Sequence, residues 1–469
     1  MHISHHFDYD STGYPTFMTL SLFVLSTTSP PNIILTMNDL TNVRIHDRFT
    51  DPHLCLAMKL IILIIIVTIL YEWSKNLKSL YNNSKLTGAK YTDFLLVGNS
   101  RRCRAILRLD PGTFELLAQK LLLLDTNPVS KRLGIEEQLA IFMYIVGQGA
   151  TNRQAQDQFQ HSGKTISKVF HHIIALLIGL SSAYIQLPNP RVTHRTILDN
   201  PKYSPFFDDC LGALDGVHVP AKVPEAQAAP FCNWKGQLSQ NVLAVVDFDM
   251  RFTYICAGWE GSAHNSRVLT HARGLDFSIP TGSFYLADAG YSLNHGILVP
   301  YRGVRYHLRE QAAANQRPSN KEELFNLRHS SMRNVVERTF GVWKKQFPIL
   351  SHALDYNLDT QRNLVFALAV VHNFAIDHGH VDSDDFFNLT VDDISFANEQ
   401  FSNPGNPGEE QVPLSNREKT MLQEWRDGTA ERMWSQYQDV LSQQHGNQTM
   451  PCRRSWVRSS TSTTRRPRH

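Results

Sequence analysis

A chain of 469 residues, 42% hydrophobic and 19% charged, is long enough for two or three domains with hydrophobic cores of their own. Its six cysteines form neither a Cys-x-x-Cys pair nor any zinc spacing, which sets aside a zinc ribbon and points to a reduced, intracellular protein. The net charge of +3 implies no partner by itself, but its distribution along the chain is uneven.

Residues 1–89 read as an N-terminal extension, and the first 50 of them show no clear periodicity. Within it, "LCLAMKLIILIIIVTIL" (54–70) is apolar except for Lys59. About 20 apolar residues span a bilayer, so a membrane anchor and a buried or partner-binding helix both stay open. Residues 90–185 read as helical. "TFELLAQKLLLLD" (113–125) is amphipathic, and "IEEQLAIFMYIVGQG" (135–149) is stopped by Gly147 and Gly149. "TNRQAQDQFQHSG" (151–163) opens with a Thr-x-x-Gln capping box, and the helix after it puts Ile166, Val169 or Phe170, Ile173 and Leu177 on one face. Two helices joined by a tight turn behind a supporting helix form a helix-turn-helix pattern, although any three-helix bundle could show it. Lys164, Thr165, Ser167 and Lys168 then lie on the solvent side, where a recognition helix meets a DNA groove.

After Pro188 and Pro190 the period changes. Strands are expected at "CLGALDGVHVP" (210–220), as a hairpin over 238–259, at "SFYLADAGY" (283–291) and at "GILVPY" (296–301). Helices are expected over 262–274, 320–350 and 360–376. This order over 200–376 predicts an α/β, ribonuclease-H-like mixed sheet flanked by helices. "HNFAIDHGH" (372–380) could ligate a metal, but histidines where a helix enters a loop read first as structural. From Asp377 to Asn416 nine acids accumulate with no Lys or Arg, which reads as an acidic linker. A helix over 417–440 follows, and residues 441–469 form a tail with six arginines and no acid, either solvated or fit for nuclear import or phosphate binding.

Three acids stand out. Asp215 closes an apolar strand, where the plain alternative is an Asp-Gly turn. Asp288 also closes an apolar run. Glu337 lies beside the stripe Val336, Phe340, Trp343 and Phe347, at the rim of a buried helix face. Clustered carboxylates repel one another and need cations; hard oxygen donors suit Mg²⁺ or Mn²⁺, and a metal pair suits in-line phosphoryl displacement. Asp247 and Asp249 sit in a hairpin turn, where aspartates are expected anyway. Lys222, Arg338, Lys344 and Lys345 are candidate phosphate contacts, with solvated surface charge as the alternative.

The runs "DGVHVP", "GWEGSAHNSRVL", "LADAGY", "VPY" and "NVVERTFGVWKKQFPIL" resemble the DDE nuclease of PIF/Harbinger-type transposases and their domesticated relatives, over roughly residues 130–376. "WRDGTAERMW" (425–434) looks like a tail helix of some fungal-type members. The resemblance implies Asp215, Asp288 and Glu337 as the DDE triad. It also implies a metal-dependent DNA endonuclease acting on double-stranded DNA in the nucleus, with a separate Myb/SANT-like partner and a homo-oligomer as further expectations. Val217, Ala289 and Asn265 stand where Thr, Ser and Asp are frequent in the family. The alternatives are a domesticated, catalytically silent DNA-binding or adaptor protein and, through residues 54–70, membrane association.

Overall fold

The computed structural model describes residues 5–9, 15–20, 52–76, 82–304, 317–379 and 414–448, so most of the acidic stretch and of the basic tail lies outside the described residues. The chain divides into two compact units, residues 1–81 and 82–469. The first holds an antiparallel pair, β1 (His5–Tyr9) and β2 (Pro15–Leu20), which the aperiodic sequence did not signal, and helix α1 (Pro52–Asn76). On α1 the side chains of Leu60, Ile61, Leu63, Ile64 and Ile65 are all exposed, so none of them marks a buried face. Among the described residues no helix is long and apolar enough to cross a membrane.

The second unit opens with six helices: α2 (Gly88–Val97), α3 (Ser100–Leu107), α4 (Pro111–Leu124), α5 (Ile135–Gln148), α6 (Asn152–Phe159) and α7 (Gly163–Gly179). The capping box at Thr151 and Gln154 forms, and Gln160 in left-handed backbone turns the chain from α6 towards α7. Ile166, Val169, Phe170, Ile173 and Leu177 are all buried. The helices and the sheet that follows share one continuous core; Phe170, for instance, stacks on Tyr356 at 4.8 Å.

Five strands follow: β3 (Cys210–Pro220), β4 (Ser239–Val246), β5 (Phe252–Glu260), β6 (Phe284–Leu286) and β7 (Ile297–Leu298). Their order in the sheet is β5-β4-β3-β6-β7, with β3, β4 and β5 antiparallel and β3, β6 and β7 parallel. Side chains alternate across such a sheet. Ala213, Val217, Val219, Val242, Ala244 and Leu286 face the main core, whereas Leu214, Leu243, Val245 and Tyr285 face a second core with helix α8 (Asn265–Leu275). Burial on both faces explains why β4 reads as a nearly unbroken apolar run. This mixed α/β arrangement is consistent with a ribonuclease-H-like sheet.

Two long helices pack on the main-core face, α9 (Lys321–Gln346) and α10 (Leu358–His378). Val336, Phe340, Trp343 and Phe347 are buried as their spacing requires, and the Trp343 ring meets Phe252 at 5.0 Å. Helix α11 (Asn416–Gln448) starts from a reciprocal Ser415–Glu418 cap and docks on α9 through Lys321–Glu431 and Arg328–Gln436.

At the β4–β5 turn His194 pairs with Asp249 at 3.1 Å. Hydrogen bonding to Asp249 raises the His194 pKa, and hydrogen bonding to His194 lowers that of Asp249. The histidine's contribution is complete below its ordinary value of 6.5 and lost as pH rises through the raised value; the aspartate's is lost as pH falls through its lowered value. Asp249→Asn should therefore lower the melting temperature more at pH 5.5 than at pH 9, where only the contact of Asp249 with Arg251 at 3.5 Å remains to be lost. The pair is half exposed, so the loss stays within about 1 kcal/mol. Thermal denaturation at the two pH values checks this.

Candidate active site

Asp215 does not close its strand. It stands in the middle of β3, opposite Ala244 of β4, and the strand continues to Pro220. The Asp-Gly turn is thereby excluded as well. What ends near Asp215 is the parallel pairing on the other side, whose last register is Ala213 opposite Leu286. Asp215 lies two residues beyond that pair within β3, and Asp288 lies two residues beyond it in the turn that follows β6. Asp215 shares the parity of the β3 residues that face the main core.

Glu337 comes to the same face on α9, and one side chain joins it to Asp215. The Arg333 guanidinium donates to Asp215 Oδ2 at 2.8 Å through Nη1 and to Glu337 Oε1 through Nη2. Arginine and glutamate are four residues apart, one turn of helix, so they meet on one side of α9. Side-chain exposure is only 8% for Arg333, 18% for Asp215 and 19% for Glu337, which places the bridge in a largely dry environment.

Burial pushes the Asp215 carboxyl up to about 7, against the lowering effect of Arg333; the Asp288 and Glu337 charges add to the rise and the Gly216 N–H, at 2.7 Å, opposes it. Asp215 is thus within electrostatic reach of both other acids. Tyr291 is fully buried nearby, with its hydroxyl lacking a hydrogen-bond partner; burial first, then the Asp215 and Asp288 charges, hold its pKa well above 10. The turn that carries Asp288 is closed by Tyr291 N–H donating to the Asp288 carbonyl. Arg302 fastens it from outside, donating to the carbonyls of Ala289 and Tyr291.

Gly216 has a packing role. A Cβ there would lie 2.2 Å from Asn265 Oδ1, and Asn265 is held in place by Asn241 Nδ2 at 2.8 Å. The glycine lets α8 approach the back of the strand that carries Asp215.

The donors are hard carboxylate oxygens, and a guanidinium already stands as a cation between two of them, so the set suits a hard divalent ion. As placed, no three His, Cys, Asp or Glu side chains among the described residues are grouped closely enough to hold a metal ion. Arg333 takes the space between Asp215 and Glu337.

Of the expected DNA contacts, Lys164 and Lys168 are exposed on α7, and Thr165 and Ser167 are partly so. The Thr165 backbone and hydroxyl are engaged by the Ser162 cap. Lys222 is exposed and paired with Asp355 at 2.8 Å, and Arg338 and Lys345 are exposed on α9. Lys344 requires a correction. Its ammonium is buried, 3.2 Å from the His218 carbonyl, so it ties α9 to β3 and presents no charge to a phosphate. Asp247 and Asp249 occupy the β4–β5 turn, on the other side of Ala213 from Asp215 along the sheet. Sequence reasoning missed Arg333, although a basic residue one helical turn before a core-rim glutamate is a legible signal. It missed Tyr291, for which the sequence offers none.

The resemblance carried by the sequence motifs is borne out. Residues 214–373 match the DDE superfamily endonuclease family, a span that includes all three acids and Arg333, and residues 83–179 match a domain of unknown function, DUF8040. The chain is similar to "Putative nuclease HARBI1" of Homo sapiens, 24% identical over 310 residues covering 61% of this chain and 85% of the relative. It is similar to the protein of the same name in Rattus norvegicus, 24% identical over 256 residues, 53% and 70% of the two chains. "Protein ALP1-like" of Arabidopsis thaliana is 21% identical over 272 residues, 54% and 62%. No solved structure matches significantly.

Two predictions test this site. Arg333→Met should destabilise the metal-free protein at pH 8 by about 3–5 kcal/mol, because a buried carboxylate loses its counter-charge. Millimolar Mn²⁺ should then raise the variant's melting temperature more than the wild type's; equal melting of the two proteins without metal would remove the counter-ion role. Gly216→Ala should cost about 1–3 kcal/mol by overpacking, and most of that loss should return in the double variant with Asn265→Gly, measured by urea denaturation.

Proposed function

We propose that this chain is a divalent-metal-dependent DNA endonuclease of the Harbinger type, with Asp215, Asp288 and Glu337 as its acid triad. The observation that supports this reading is the buried bridge of Asp215 and Glu337 through Arg333, with Asp288 in the turn that follows the strand paired to β3. The three carboxylates would hold Mg²⁺ or Mn²⁺, which when bound would acidify an attacking water and offset charge on the phosphoryl oxygens. The chain's own contribution is preorganisation: Arg333 fixes two of the acids, Arg302 fixes the turn of the third, and Tyr291 with the surrounding core limits water on the buried side.

Double-stranded DNA would be held through its phosphates by Lys222, Arg338 and Lys345 and, on the helix-turn-helix reading, by Lys164, Thr165, Ser167 and Lys168 at the start of α7. Nuclear residence, a Myb/SANT-like partner and a homo-oligomer accompany this proposal by family resemblance. A second reading, a catalytically silent DNA-binding or adaptor protein, draws on one observation: Arg333 occupies the space between two triad acids.

Nicking of supercoiled plasmid in Mg²⁺ separates the two. The wild type should nick, and Asp288→Asn should lose at least about 100-fold in rate while still shifting DNA in a binding assay, because a missing metal ligand removes transition-state stabilisation and leaves phosphate contacts in place. Equal nicking by both proteins, or none by the wild type with a purified partner present, defeats the enzyme reading.

A further inference from the structure

The connection between β3 and β4 carries a feature that the carboxylate site leaves unexplained. From Asn233 to Gln237 the chain folds into a tight turn. Asn233 is buried, and its Oδ1 accepts the N–H groups of Lys235 and Gln237, both at 3.0 Å, while its Nδ2 donates to Ser239 Oγ at 3.3 Å. Gly236 supplies the left-handed backbone, with φ of +76°, that closes the turn. At the tip of this built turn Trp234 is 53% exposed, with the Lys235 ammonium 4.7 Å from its ring centre. Trp343, by contrast, is fully buried. An indole gains most from burial, so a well-anchored turn that holds one in solvent beside a cation has the character of a recognition element.

Its position relates it to the acids. The turn is closed by the bridge between Cys232 and Leu238, next to the last β3–β4 pair, Pro220–Ser239, and so lies beyond the C-terminal end of the strand that carries Asp215. Ser239 Oγ also meets His218 Nδ1 at 3.0 Å, three residues along the strand from Asp215 and on its opposite face, so the anchor of the turn is tied to the acid-bearing strand from the α8 side. We infer that Trp234 is a stacking platform for an unpaired nucleobase, with Lys235 meeting the adjoining phosphate. Every base offers a π-face, so such a platform accepts a strand without regard to sequence. This inference rests on the DNA reading proposed above and adds to it a preference for DNA with locally unpaired bases.

The test uses the full chain and two fluorescent probes, a fully paired duplex and the same duplex bearing an unpaired thymidine tail. Fluorescence anisotropy gives the tail-to-duplex affinity ratio. Trp234→Ala should lower that ratio about tenfold, Trp234→Phe should restore most of it, and Lys235→Ala should lower the salt dependence of tail binding. The exposed position of Trp234 keeps the variants folded, which thermal melting verifies. A ratio that is equal in wild type and Trp234→Ala, with duplex binding present, overturns this inference and spares the DNA reading. A wild type that binds neither probe overturns both.

Discussion

A carboxylate in the middle of a central strand is the constraint on which the rest of this structure turns. Asp215 is paired to β4 in a strand that has neighbours on both sides, and a packed helix lies across its face, so its ionised form is short of water. Arg333 answers that deficit, and it can do so because α9 lies across the sheet at the level of the acid. Burial still outweighs the guanidinium, since the Asp215 pKa stays raised to about 7. The site therefore favours any further positive charge that reaches it, and this is the electrostatic condition for taking up a divalent cation. It is also the condition under which a protonated, inert site persists without one.

Helix α9 acts as the register bar of the site. Val336, Phe340 and Trp343 fix its rotation by burial, Lys344 fixes it again at the His218 carbonyl, and α11 braces its outer side at Lys321 and Arg328. Arg333 and Glu337 are both set by that rotation. One residue of slip turns the helix by about 100° and separates Glu337 from Arg333's other partner. The buried lysine thus helps to hold the orientation of α9 in which Arg333 meets both Asp215 and Glu337.

Much of this was legible in the sequence because burial leaves periodic traces. The 4-3-4 spacing of Val336, Phe340, Trp343 and Phe347 gave the buried face of α9, and the capping box at Thr151 gave the start of α6. The place of Asp215 within its strand was not legible, because Asp-Gly is a turn pair and Gly216 is a glycine for a tertiary reason, the approach of Asn265. Lys344 was misjudged because local sequence shows charge and not the carbonyl that a folded chain brings to it. The strands β6 and β7 are shorter than their apolar runs because side-chain burial continues past the last ladder hydrogen bond.

Asn265, where the family resemblance leads one to expect an aspartate, can be judged from the same alternation. Asp215 faces α9, and its neighbour Gly216 faces α8, so Asn265 touches β3 from the side opposite the carboxylates. Its Oδ1 accepts from Asn241, a contact that an aspartate could make as well. The neutral side chain therefore removes no carboxylate from the face that carries Asp215. Its influence on Asp215 passes through the backbone at Gly216, whose N–H is one of the groups that hold the acid. The departure bears on how the strand is supported from behind, and the contacts of Arg333 with Asp215 and Glu337 lie on the other face.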